Sequence, residues 1–171
     1  MAANARPRRS VLYMPGSNAR ALEKAKALPA DALILDLEDS VAPDAKAAAR
    51  EQVCATVRGG GFGGREIVIR VNGLDTPWGR DDLIAAARAG ADAVLVPKVN
   101  GADTIEAAEA LLQDGGAPDG LRLWAMMETA IGMLQAKEIA GAGGRLACFV
   151  MGTNDLAKEL HAAQTPARLP L

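Results

Sequence analysis

Two stretches decide the fold: Arg122–Gly132, RLWAMMETAIG, and Arg145–Leu160, RLACFVMGTNDLAKEL. Each opens with a strand-length apolar run, meets a carboxylate (Glu128 in the first, Asp155 in the second) and passes into a helix-like pattern. Carboxylates that follow successive strands can converge on one point. Oxygen-only ligands of that kind suit a hard divalent cation, usually Mg²⁺, which keeps several waters and holds substrate oxygens. The competing reading is two acids capping the helices that follow. The matching context of the pair favours the metal.

Working outward, six strand-like runs alternate with helix-like stretches. The runs are Ser10–Met14, Ala32–Leu37, Glu66–Val71, Ala93–Val96, Arg122–Met127 and Leu146–Met151. They are nearly continuous in apolar residues, as strands buried on both faces are. Between them lie Ala-rich stretches at Ala19–Leu28, Pro43–Val57, Gly79–Ala89, Ala102–Leu112, Ala130–Ala140 and Asp155–Ala163. Repeated β–α units predict an α/β fold with a parallel sheet. A doubly wound sheet advertises a phosphate loop after its first strand, but here MPGSN follows it. The glycine-rich Gly59–Gly64 precedes a strand instead. Polar residues cluster after nearly every strand, which is the signature of a (β/α)₈ TIM barrel. Such a barrel needs roughly 250 residues. With six units in 171 residues, the expectation is an incomplete barrel, an open sheet with its first and sixth strands each unpaired on one side.

Length and composition set the frame. A chain of 171 residues can bury a core, and one domain over residues 1–171 is the default. A net charge of −2 argues against a nucleic-acid partner, and the basic cluster Arg6, Arg8, Arg9 has no interleaved aromatics. No apolar run approaches the ~20 residues of a membrane span. The opening MAANARPRRS has no signal-peptide core. Cys54 and Cys148 show no metal spacing and read as small buried side chains in a reducing cytoplasm.

Other candidates for chemistry sit at strand ends. Arg70 ends the third strand. Its guanidinium fork fits a substrate carboxylate, against a structural ion pair with Glu38. Glu38 and Asp39 follow the second strand, and Asp36, within it, shares a side with Glu38. Lys98 could form an imine, although a metal site makes that redundant. Lys24, Lys46 and Arg50 are candidate phosphate contacts at the rim, or plain solvated cations. His161 reads as a surface residue; Met126, Met127 and Met151 read as core packing.

The motifs RSVLYMPGSN, LILDLEDSVAPDAKAAAR, IVIRVNG, AVLVPKV, MMETAIG and MGTNDLAKEL occur in that order between Arg9 and about Leu160. Together they resemble the citrate lyase β-subunit-like CoA-ester lyases, which include malyl-CoA and citramalyl-CoA lyases. The resemblance implies a Mg²⁺-dependent TIM barrel, usually a homotrimer, acting on a CoA thioester and a 2-oxo acid. It makes Glu128 and Asp155 the Mg²⁺ ligands, with Glu128 also at the substrate. It puts Arg70 on the oxo-acid carboxylate, and Glu38 and Asp39 behind the metal, holding waters or orienting Arg70. It further implies a C-terminal region supplying a catalytic Asp, to which no position here corresponds. The implied reaction is Claisen-type carbon–carbon cleavage of a 3-hydroxyacyl-CoA. The alternatives are a Mg²⁺-dependent aldolase on CoA-free hydroxy-oxo acids and an inactive, truncated barrel.

Overall fold

Six β–α units run through residues 6–168, the residues that the computed structural model describes. Met1–Ala5, part of the stretch read above for a signal peptide, and Leu169–Leu171 lie outside them. The strands are β1 (Val11–Pro15), β2 (Ala32–Asp36), β3 (Glu66–Arg70), β4 (Ala93–Val96), β5 (Arg122–Met127) and β6 (Leu146–Met151). The helices are α1 (Ala19–Ala25), α2 (Lys46–Gly59), α3 (Gly79–Ala89), α4 (Ala102–Asp114), α5 (Ala130–Leu134), α6 (Ala136–Ala140) and α7 (Thr153–Glu159). The stretch expected as one helix over Ala130–Ala140 breaks at Gln135, whose φ/ψ of −97°/13° leave the helix. Among the described residues no helix is long and apolar enough to cross a membrane.

All pairings are parallel and the strand order is β1 to β6, each strand beside its sequence neighbour. A doubly wound sheet would reverse that order at a switch point. The unreversed order is the winding of a TIM barrel, here unclosed. One apolar cluster lies between sheet and helices, built on Leu33, Leu35, Ile69, Val94, Leu123 and their helical partners. A second fills the inside of the curve with Ile34, Val68, Leu95, Trp124 and Met126. Strands β2, β3 and β4 are buried along their whole length, as their apolar runs predicted. Strands β1 and β6 are not: Val11, Leu12, Tyr13, Phe149 and Met151 are exposed. Each of these two strands has one neighbour, so one edge and part of a face stay uncovered. For the same reason Cys148 in β6 is only half-buried, whereas Cys54 is buried as expected.

The arginine cluster fastens the foot of the sheet. Arg6 pairs with Asp92 at 3.0 Å, before β4. Arg8 forks onto Glu66, the first residue of β3, at 2.7 and 2.8 Å, and lies 5.0 Å over the Trp124 ring. Arg9 forks onto Asp31, before β2, at 2.8 and 3.0 Å. Arg9's hydrogen bonds pull the Asp31 carboxyl down from 3.8 to about 2. A depressed acid contributes stability that is present above the unfolded value and lost as pH falls through the folded one. That window is pH 3.8 to about 2 here. The acid limb of melting temperature against pH should be shallower in Arg9→Ala than in the wild type. Equal slopes in that window would show that the pair contributes nothing.

Candidate active site

At the C-terminal ends of the strands, sheet register places Asp36 and Arg70 side by side as Cα partners. Arg70 Nε and Nη2 each donate to one oxygen of Asp36 at 2.7 Å. The Nη1 side lies 3.0 Å from Glu38 Oε2 and 3.3 Å from Asp39 Oδ2. The Tyr13 ring stands 5.3 Å from the guanidinium. Burial pushes the Asp36 carboxyl up, but Arg70, the Ser40 side chain and the Glu38 amide outweigh it, leaving the pKa lowered. The sequence reading offered Arg70 as a substrate fork or as an ion pair with Glu38. In the structure the side-on fork belongs to Asp36, which was noted as sharing a side with Glu38 but not as Arg70's partner.

Glu38 is buried, with Oε1 3.1 Å from Lys98 Nζ. Its Oε2 is near Arg70 but not aligned for a hydrogen bond, and no other group satisfies it. Burial raises its pKa. Glu128, directly after β5, is 1% exposed. Its Oε1 accepts the Lys98 backbone N–H at 2.8 Å, which Lys98 presents from a left-handed φ of 50°. Burial pushes the Glu128 carboxyl up to about 7; the Lys98 N–H lowers it, and the charges of Glu38 and Asp155 add to the rise. Asp155 lies in the first turn of α7, which begins two residues earlier than the sequence pattern suggested. It does not cap the helix, since the N-cap position is Gly152.

Tyr13, Asp39, Arg70, Met126, Glu128 and Asp155 share the lining of one cavity of about 390 Å³. Its lining holds three carboxylates (Asp39, Glu128, Asp155) against one cation (Arg70), while Asp36 and Glu38 lie behind Arg70. The excess of two negative charges, the orphaned Glu38 oxygen and the raised Glu128 all fit a divalent cation. Among the described residues no three His, Cys, Asp or Glu side chains form a ready-made cage. Two lining carboxylates, Glu128 and Asp155, meet the needs of Mg²⁺, which takes one or two carboxylates and keeps waters or substrate oxygens.

The three rim cations part company. Lys24 is exposed on α1, as expected. Lys46 is not a surface cation: its residue is 6% exposed and its ammonium donates to the carbonyls of Leu37 and Glu38. Arg50 pairs with the fully buried Asp82 at 3.0 Å. Asp82 in turn accepts from the Asn72 side chain at 2.6 Å, a network the sequence reading missed. The Arg50–Asp82 pair links positions 32 residues apart, so only the packing of α2 on α3 brings it together. His161 is exposed beyond α7.

Comparison with known proteins adds the family. Residues 9–169 match the family described as HpcH/HpaI aldolase/citrate lyase. Over all 171 residues the chain is 56% identical to a (3S)-malyl-CoA thioesterase of Cereibacter sphaeroides and covers 58% of that protein. Over 168 residues it is 39% identical to the L-malyl-CoA/beta-methylmalyl-CoA lyase of the same species, covering 94% of this chain and 53% of that protein. A solved structure of CitE from Mycobacterium tuberculosis, in complex with magnesium, acetoacetate and coenzyme A, superposes with a TM-score of 0.73 at 28% identity. That match covers 95% of this chain and 57% of CitE. The chain therefore spans a little over half the length of the curated relatives it matches. Ordered motifs, unreversed strand order and acids at the strand ends agree with these matches, and the chain belongs to the HpcH/HpaI aldolase/citrate lyase family.

Proposed function

We propose that the chain forms the metal- and acid-binding part of a Mg²⁺-dependent enzyme acting on 3-hydroxyacyl-CoA thioesters of the malyl-CoA type. The observation that carries this is the cavity shared by Glu128, Asp155 and Arg70 with its excess of two negative charges. Glu128 and Asp155 would hold Mg²⁺. When bound, Mg²⁺ supplies Lewis-acid stabilisation of charge on substrate oxygens. Arg70 has five N–H donors and gives two to Asp36, so a ligand carboxylate would meet its Nη1 side. Asp39, mostly exposed and the longest of the three carboxylate contacts to Arg70, is the partner to be displaced. Tyr13 and Met126 wall the cavity and keep the guanidinium from bulk water. Lys24 on α1, the exposed one of the three cations, would remain the candidate contact for a CoA phosphate.

For the reaction we favour thioester hydrolysis, because the relative at 56% identity is named a thioesterase. Carbon–carbon cleavage, the sequence-based expectation, is the second reading, favoured by the relative at 39% named a lyase. Incubation with (3S)-malyl-CoA and Mg²⁺, followed by chromatography, separates them. Hydrolysis yields malate and free CoA, whereas cleavage yields acetyl-CoA and glyoxylate. Folded, Mg²⁺-loaded chain that forms neither pair would reject the activity for this chain.

Gly152 gives a test of the metal site. A Cβ added there would collide with Glu128 Cβ and lie 2.6 Å from Glu128 Oε2. Gly152→Ala is thus expected to displace the carboxylate and weaken Mg²⁺ binding about 10-fold or more, in line with the cost of small misplacements in a site. Calorimetric titration with Mg²⁺ measures it; unchanged affinity would separate Glu128 from the metal.

A further inference from the structure

We propose that Lys46 is a positioning residue for the acidic turn Asp36–Ser40, acting through the main chain on Glu38 and Asp39. Its ammonium donates to two successive carbonyls, Leu37 O at 2.9 Å and Glu38 O at 2.7 Å. The Trp78 ring lies 5.6 Å away on another side. Leu37 O is also held by Asn72 Nδ2 at 3.0 Å, and Asn72 is fixed by Asp82. The turn is therefore gripped from α2 and from the segment after β3 at once.

Local rules argue against a lysine at this place. Lys46 opens α2, where the helix dipole disfavours a cation, and the nearest acid, Asp44, sits in the 3₁₀ turn Pro43–Ala45 ahead of it. Burying an ammonium costs free energy unless its donors are satisfied. Residues that break local rules in this way concentrate at functional sites. The gripped carbonyls flank the Glu38 side chain, which bridges Arg70 and Lys98. Tilting either peptide would re-aim Glu38 and Asp39 together, and with them Arg70. The consequence for Mg²⁺ rests on the proposed function; the grip on the turn does not.

Hydrogen exchange and Mg²⁺ titration of the whole chain test this in Lys46→Met and Lys46→Arg. The amides of Glu38 and Ser40 donate to Asp36 and report the turn directly. In Lys46→Met they should exchange at least about 10-fold faster while β5 amides keep their rates. The Mg²⁺ Kd should rise by a similar factor, about 10-fold, the scale of small misplacements in a site. Lys46→Arg, which keeps charge and donors, should recover most of both. Unchanged exchange at Glu38 and Ser40, or equal acceleration across all strands, would overturn the positioning role. A wild type that binds no Mg²⁺ would reject the proposed function, while the exchange comparison would still decide Lys46. If Lys46→Met does not fold, Lys46→Gln replaces it under the same criteria.

Discussion

Glu128→Gln is expected to abolish measurable Mg²⁺ binding and, in the same protein, to raise the melting temperature of the metal-free form above pH 7. The two effects share one cause. Glu128 is almost wholly buried, and burial, with Glu38 and Asp155, pushes its pKa from 4.5 up to about 7. The folded state thus holds the proton more tightly than the unfolded state. Stability from the protonated form is full below pH 4.5 and is lost as pH rises through about 7. A shift of that size corresponds to at most about 3 kcal/mol. Glutamine keeps the acceptor for the Lys98 N–H and carries no charge, so it escapes the loss. It also gives up the oxygen charge a divalent cation requires. Saturating Mg²⁺ should reverse the order, stabilising the wild type and leaving the variant unchanged. Melting curves at pH 5 and pH 8, with and without Mg²⁺, measure all of this. A variant less stable than wild type at pH 8 without metal, or one that binds Mg²⁺ normally, would refute the assignment.

Arg70→Met carries the largest expected loss of folding stability, about 3–5 kcal/mol, because it leaves buried charge without its partner. Asp36 and Glu38 would face each other with both of Arg70's interactions gone. In Arg70→Lys an ammonium replaces the guanidinium fork, which should weaken oxo-acid binding. The fork onto Asp36 adds a folding cost, since an ammonium cannot make both 2.7 Å contacts in one plane. Arg70→Lys should therefore be intermediate in stability and still poor in binding glyoxylate. Urea denaturation gives the first quantity and calorimetry the second. A loss below about 1 kcal/mol in Arg70→Met would mean that the acids are neutralised by something other than Arg70.

What could be read from the sequence followed from local pattern. The bounds of β4, β5 and β6 were evident because each run is nearly all apolar and stops at a proline, a glutamate or a glycine. The strand order followed from repeated β–α units, and the clustering of Glu128, Asp155 and Arg70 followed from the order. What was not evident depends on pairing across the fold. The Asp36–Arg70 fork exists because β2 and β3 set residues 34 apart abreast. Lys46 turns inward because the β2 end offers two carbonyls, which no helical periodicity reveals. The exposure of β1 and β6, by contrast, was foreseeable from the count of β–α units, since six units leave the first and last strands one neighbour each. The three arginines read only as a short basic cluster, and their partners Asp31, Glu66 and Asp92 come from elsewhere in the chain.

Those arginines make the two ends of the sheet respond differently to ionic strength. At the foot, the Arg9 side chain is 80% exposed and that of Arg6 49%. At the mouth, the Arg70 side chain is 7% exposed and that of Asp36 4%. Raising salt from 0.01 to 1 M shortens the screening length from about 30 to about 3 Å, which reaches exposed pairs and largely spares buried ones. Salt therefore loosens the N-terminal fastening and leaves the acid-lined cavity clamped, so the chain can fray at one end of its strands while its chemistry stays assembled at the other.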